Sequence, residues 1–372
     1  MDMDRTGRKK GPAGNGKKDA WVLVNVGTPD APSTDAVRRY LHQFLNDPKV
    51  IDLPWLARKL LVNLVIVPFR APRSARKYRQ IWTSEGSPLL VHLEKLVRKV
   101  QEHAGDRADV FGVMRYGNPS LEALADELKV SGYRSVTYLP LYPQVAGSTT
   151  GSVEEVVASG LSKTKSQKMK IVGSANEENP VISLSSPDSK LPVRFIRQFY
   201  DHPAFIEVFA GNILRYNPGS FDHVLFSYHG LPLRQIRKCH PEQPVEQCDC
   251  ENAMPSYGTR CYRAQCYATT RLLAAKAGIP AGSHSTAFQS RLSKNWMSPF
   301  TDNRLKELAA AEKRRVLVVP ASFVADCLET TLEIGIEYRE LFLESGGKEL
   351  VMVESLNSSD RWAEGVTAML SQ

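Results

Sequence analysis

The chain lacks most of the signatures that assign a soluble α/β protein at sight. No G-x-G-x-x-G follows the first apolar segment, Val22 to Val26, and no phosphate-cradling loop ends in Gly-Lys-Ser, so a standard dinucleotide or P-loop site is excluded. No run reaches the roughly 18 apolar residues needed to cross a bilayer. The longest approach to one, Leu60 to Phe69, is about half that length. The first residues lack the apolar core of a secretory signal, which leads us to expect a cytoplasmic protein whose thiols stay reduced. Paired C-x2-C spacings of common zinc folds are missing. Charge of neither sign dominates: 48 Lys and Arg stand against 40 Asp and Glu, and half of the net +8 falls in residues 1–18. We read residues 1–19 as a disordered basic tail, with solubility its first role. No nucleic-acid partner is expected.

What is present is a rhythm. Apolar strand-like runs alternate with helical patterns through both halves of the 372 residues. The length suits two domains, which we place at 20–197 and 198–372, with the C-terminal helix packing on the first domain. Alternation of this kind predicts an α/β fold: two doubly wound, Rossmann-like domains, each with a parallel four-stranded sheet flanked by helices, and a cleft between them. Residues 163–192, rich in Lys, Ser, Asn and Pro, read as an insertion or long loop.

Two motifs carry chemistry. His229 ends the run Val224-Leu225-Phe226-Ser227-Tyr228, and Gly230-Leu231-Pro232 then turns the chain, leaving the imidazole at a strand end. Glu329 lies just past the run Val316 to Val319 and starts a series with Glu333 and Glu337, four residues apart. On a regular helix over about 324–344 these three share one slowly drifting face. That face is either solvated or a path for cations or protons. Carboxyl ends of neighbouring parallel strands meet at one rim, so an imidazole and a carboxylate there would bind a divalent metal, move protons, or do both.

These motifs, together with Leu23-Val24-Asn25-Val26-Gly27-Thr28-Pro29, Met114-Arg115-Tyr116-Gly117, Leu139-Pro140-Leu141-Tyr142-Pro143-Gln144 and Thr286-Ala287-Phe288-Gln289-Ser290-Arg291, give a chain that resembles the ferrochelatase family from about Trp21 to Trp362. The resemblance implies insertion of Fe2+, as substrate, into protoporphyrin IX to make haem. His229 and Glu329 would then flank the ring centre, with His229 as proton acceptor, metal ligand or both. It implies further that Glu333 and Glu337 extend a metal or proton path, and that Arg115, Tyr142, Trp296, Phe323 and Asp326 bind the porphyrin. Leu56 to Phe69 would form the pocket lip, with core packing and a resting place on the inner membrane as its other readings. A coproporphyrin or cobalt chelatase, and a non-catalytic tetrapyrrole or iron sensor, are the alternatives.

Five of the six cysteines lie within 28 residues: Cys239, Cys248, Cys250, Cys261 and Cys266. By resemblance to a bacterial class with internal ligands, Cys239, Cys248, Cys250 and Cys261 are expected to hold a 2Fe–2S cluster. A set that uses Cys266, a structural zinc, and inert thiols remain the competing readings.

Overall fold

The computed structural model describes residues 18–161, 170–172, 181–186, 189–239 and 244–372. Among the described residues ten strands run in chain order: β1 (Asp19–Thr28), β2 (Ala108–Gly117), β3 (Val136–Pro140), β4 (Lys170–Val172), β5 (Val181–Ser186), β6 (Ser189–Ile196), β7 (His223–His229), β8 (His284–Gln289), β9 (Arg315–Val319) and β10 (Glu349–Met352). They form one sheet ordered β2-β1-β3-β6-β5-β4 and a second ordered β10-β9-β7-β8. The chain divides into two compact units. One takes in residues up to Tyr142, Ala146–Gln198 and Ser358–Gln372; the other takes in Pro143–Val145 and Phe199–Asn357.

The four strands β2, β1, β3 and β6 pair in parallel, as do all four of the second sheet. Helices follow the strands because a parallel pair needs a long crossover, and those helices cover both faces. Strands buried on both faces lose polar–apolar alternation, which is why Ala20 to Val24 and Val316 to Val319 are continuous buried runs. Around them pack Leu124, Leu128 and Val157 in one unit and Leu305, Leu308 and Phe342 in the other. Counting only the parallel strands, both units have the order second-first-third-fourth. The strand order therefore reverses beside the first strand of each, at β1/β3 and at β7/β9, the places where open parallel sheets bind ligands past their carboxyl ends.

Two expectations need correction. Within residues 163–192, the described parts are β4, β5 and the start of β6, and β5 pairs antiparallel with both neighbours. The segment thus widens the first sheet instead of looping away from it. Backbone hydrogen bonds along a sheet edge need no apolar side chains on both faces, so a Lys- and Ser-rich composition conceals them. The helix expected over 324–344 is a π-helix at Leu328–Tyr338 followed by an α-helix at Arg339–Glu344. Of the basic tail, residues 1–17 lie outside the described residues, and Asp19 already belongs to β1.

Candidate active site

His229 is the last residue of β7, and its register partner on β8 is Gln289, also the last of its strand. The backbone of His229 is held at both ends: its N–H donates to Ser322 Oγ at 3.1 Å, and Tyr262 Oη donates to its carbonyl at 2.8 Å. Its Nδ1 lies 2.7 Å from the carbonyl oxygen of Gly230. A carbonyl only accepts, so Nδ1 must carry the proton, and in the neutral ring Nε2 keeps its lone pair. Trp296 and Phe323 flank the imidazole, each with its ring centroid 6.4 Å away. Trp296 comes there because it bridges back to Pro232. Gly230 is required by this closeness. A Cβ at that position would sit 2.9 Å from the Gln289 carbonyl oxygen.

The carboxylates arise from the turn of π-helix that follows β9. Asp326 anchors its start: Asn357 Nδ2 donates to Asp326 Oδ2 at 2.7 Å, and the Asp326 N–H donates to Asn357 Oδ1 at 2.8 Å. Thr330 Oγ1 adds a bond to Asp326 Oδ1 at 3.2 Å and accepts from the Cys327 N–H at 2.9 Å. Thus Asp326, assigned to the porphyrin by resemblance, meets its own chain with both oxygens. Glu329, Glu333 and Glu337 are all half-buried. Four residues turn about 400° on an α-helix but roughly 330° on a π-helix, so the three acids still share a face that drifts in the opposite sense. Glu333 is held by four donors: Ser290 N, Ser290 Oγ, Gln289 Nε2 and Tyr338 Oη, at 2.9, 2.6, 3.1 and 2.7 Å. Beside Glu329, burial and the neighbouring carboxylate push the Cys327 thiol well above its ordinary range.

Arg115 and Tyr142 belong to the first unit. All three terminal nitrogens of Arg115 are engaged there: Nε with Ser152 Oγ at 2.7 Å, Nη1 with Glu122 at 2.7 Å, and Nη2 with Asp47 at 2.8 Å. Asp47 is buried and also accepts from Tyr116 Oη at 2.8 Å and Ser152 Oγ at 2.5 Å. Burial first, and then the Asp47 charge, raise the Tyr116 phenol far above its ordinary value. The Tyr142 hydroxyl is buried and finds no hydrogen-bond partner among the described residues. In the same unit the segment Leu56 to Phe69 is split. Val62 and Val67 are buried core, whereas Trp55, Leu56, Leu64, Val65 and Phe69 are more than half exposed. No helix among the described residues is long and apolar enough to cross a membrane.

The thiols of the cysteine segment share one neighbourhood. Cys250 is under the influence of Cys248 and Cys261, and Cys261 under that of Cys239 and Cys248. Burial pushes the Cys261 thiol up to about 12. Arg271 clamps the loop by donating to the Cys250 and Glu251 carbonyls at 3.1 and 2.7 Å. Cys248, Cys250 and Cys261 are buried and Cys239 is half-buried, and thiols are soft donors of the right kind for a thiophilic group. Among the described residues, no three His, Cys, Asp or Glu side chains are drawn together closely enough to hold a metal ion as they stand.

Sequence reasoning gave no role to Gln289, Ser290, Ser322, Tyr262 or Asp47. For Gln289 a signal existed: like His229, it is a polar residue directly after an apolar pair at a strand end, here Ala287-Phe288.

These features define a class, an α/β protein of two doubly wound units whose second unit carries a histidine and a run of carboxylates on its carboxyl rim. A family model described as Ferrochelatase matches residues 18–372. The chain belongs to the ferrochelatase family, the metal chelatases that make haem. A ferrochelatase from Pseudomonas entomophila is 40% identical over 354 residues, covering 94% of this chain and 98% of that protein. One from Pseudomonas putida is 41% identical over 355 residues, with the same coverage of 94% and 98%. A solved multi-domain protein from Deinococcus radiodurans, described as structurally similar to chelatases, aligns with a TM-score of 0.43 at 12% identity. It covers 95% of this chain, which spans 54% of that longer protein, and so slight a likeness carries no argument.

Proposed function

We propose that this ferrochelatase takes protoporphyrin IX and that His229 accepts a pyrrole proton as ferrous iron enters the ring. A free porphyrin carries two N–H protons. Both leave as the metal binds, so a dianionic ring and Fe2+ give a neutral product. A flat ring hides its nitrogen lone pairs between its faces, and a bent one exposes them at a strain of about 1–5 kcal/mol drawn from binding elsewhere. The observation that carries the reading is the hydrogen bond from Nδ1 of His229 to the Gly230 carbonyl, 2.7 Å long. It fixes the tautomer in which Nε2 is a base. Trp296 and Phe323 beside the imidazole offer flat apolar surface suited to a macrocycle. Glu329 assists as the second proton acceptor, with Glu337 and Glu333 along the same face. Arg115, Tyr142 and Asp326 complete the porphyrin-binding set on the family's pattern.

The exposed apolar face from Trp55 to Phe69 supports a pocket lip, and on this reading it also rests on the inner membrane. The chain then works on the cytoplasmic side. Cys239, Cys248, Cys250 and Cys261 would hold a 2Fe–2S cluster, which supplies a soft crosslink to the loop; ferrous iron insertion needs no electron transfer.

The test is anaerobic insertion of Fe2+ into protoporphyrin by His229→Ala, with thermal unfolding measured alongside. The expected variant unfolds at the parental temperature and makes no haem. Near-parental turnover would remove the histidine from the mechanism.

A further inference from the structure

Gln289 is 1% exposed, and its side chain is bonded both to the strand that ends in His229 and to the π-helix that carries Glu329 and Glu333. Its backbone pairs with the end of β7, where its carbonyl accepts from the Gly230 N–H at 2.9 Å, directly after His229. Its side-chain Oε1 accepts from Ser227 Oγ at 2.8 Å, two residues before His229 on β7. Ser227 Oγ in turn lies 2.9 Å from Thr301 Oγ1. The Glu329 carbonyl and the Glu333 carboxylate only accept, which settles that the amide nitrogen faces the π-helix and its oxygen faces Ser227. There Nε2 donates to the Glu329 carbonyl at 2.9 Å and to Glu333 Oε2 at 3.1 Å.

We propose that Gln289 is a positioning residue for metal insertion: its one amide, latched to Glu333, sets the first turn of the π-helix, and with it Glu329, against the strand end that carries His229. This rests on the reading of His229 and Glu329 as the proton acceptors. Glu333 is the fixed end of the latch. Its two oxygens already receive the N–H and Oγ of Ser290, the Tyr338 hydroxyl and the Gln289 amide. Ser290 reaches it by adopting the left-handed region, with φ of 62°, which turns both its N–H and its hydroxyl toward one carboxylate. A group so occupied orients its helix, and would give up four bonds to carry a cation.

Gln289→Met keeps the length of the side chain and removes the amide. Expected is a fall in kcat of at least roughly tenfold, because small misplacements of reacting groups are costly. Porphyrin affinity, read by fluorescence titration, should stay within about twofold, since Gln289 is buried away from the surface a ligand would touch. Gln289→Glu sets a second carboxylate against Glu333 and should lower kcat further. Adding Glu333→Gln to it restores a donor to this pair, though not to the Glu329 carbonyl, and should recover part of the loss. Parental kcat in Gln289→Met overturns the proposal. So does a double variant no more active than Gln289→Glu, and this comparison decides the matter if Gln289→Met does not fold. His229→Ala in the same assay keeps the two ideas apart: if it turns over normally, the acceptor reading fails, whatever the Gln289 variants do.

Discussion

Replacing Asp47 with alanine removes the centre of a buried polar knot. Its carboxylate, with a side chain 5% exposed, meets an Arg115 side chain 14% exposed at 2.8 Å. It also accepts from Tyr116, Ser152 and the backbone N–H of Lys49. Breaking a buried ion pair from one side costs about 3–5 kcal/mol, because the remaining charge stays in place without its partner. Here Arg115 keeps Glu122, which is 2.7 Å away but 52% exposed and therefore screened by solvent. The two orphaned hydroxyls are 3.1 Å apart and can bond to each other. Both facts place the loss at the low end, about 3 kcal/mol. With a urea dependence of about 1–3 kcal/mol per M, the unfolding midpoint should fall by about 1–3 M. Urea titration of Asp47→Ala beside the parent measures this. The double variant Asp47→Leu with Arg115→Met, which removes both charges, should be more stable than Asp47→Ala. A loss under about 1 kcal/mol in Asp47→Ala, or a double variant less stable than it, would refute the account of a buried pair.

Other outcomes follow from single features. His223 is buried, with Nε2 2.7 Å from Ser285 Oγ, and burial first, then Arg304, lower its pKa from 6.5 to about 4. The unfolded chain therefore binds the extra proton, so stability is complete above pH 6.5 and is lost as pH falls toward 4, by at most about 3 kcal/mol. Melting curves of the parent and His223→Asn across that window should diverge at the acid end, and parallel curves would refute it. Gly230→Ala should cost about 1–3 kcal/mol by overpacking and displace His229, lowering Tm and insertion rate together; an unchanged Tm argues against the close approach to Gln289. Cys250→Ser should abolish the visible absorbance of a 2Fe–2S centre in anaerobically purified protein, and an unchanged spectrum would take Cys250 out of the ligand set.

The parallel sheets were legible because a strand buried on both faces leaves a continuous apolar run, as at Val316 to Val319. His229 was legible because a Gly and a Pro directly behind such a run force a turn. β4 and β5 were not, since an antiparallel extension is written in backbone hydrogen bonds and leaves no apolar stripe. Nor was the π-helix: four-residue spacing of Glu329, Glu333 and Glu337 fits either helix, and only the backbone register, with bonds five residues apart instead of four, distinguishes them. Asp47 and Gln289 act through partners 68 and 44 residues away in sequence, Arg115 and Glu333, so no local pattern marks them.

The helix Asp360–Ser371 belongs to the first unit although it follows the whole of the second. It buries Trp362, Val366 and Met369, and it is pinned by Lys99, which meets Asp360 at 2.6 Å and the Ser358 carbonyl at 2.7 Å. On the ribosome the N-terminal half must therefore wait. Its surface for this helix stays wet until residues 358–372 emerge, by which time the later half has all of its own chain. Synthesis order and completion order are reversed.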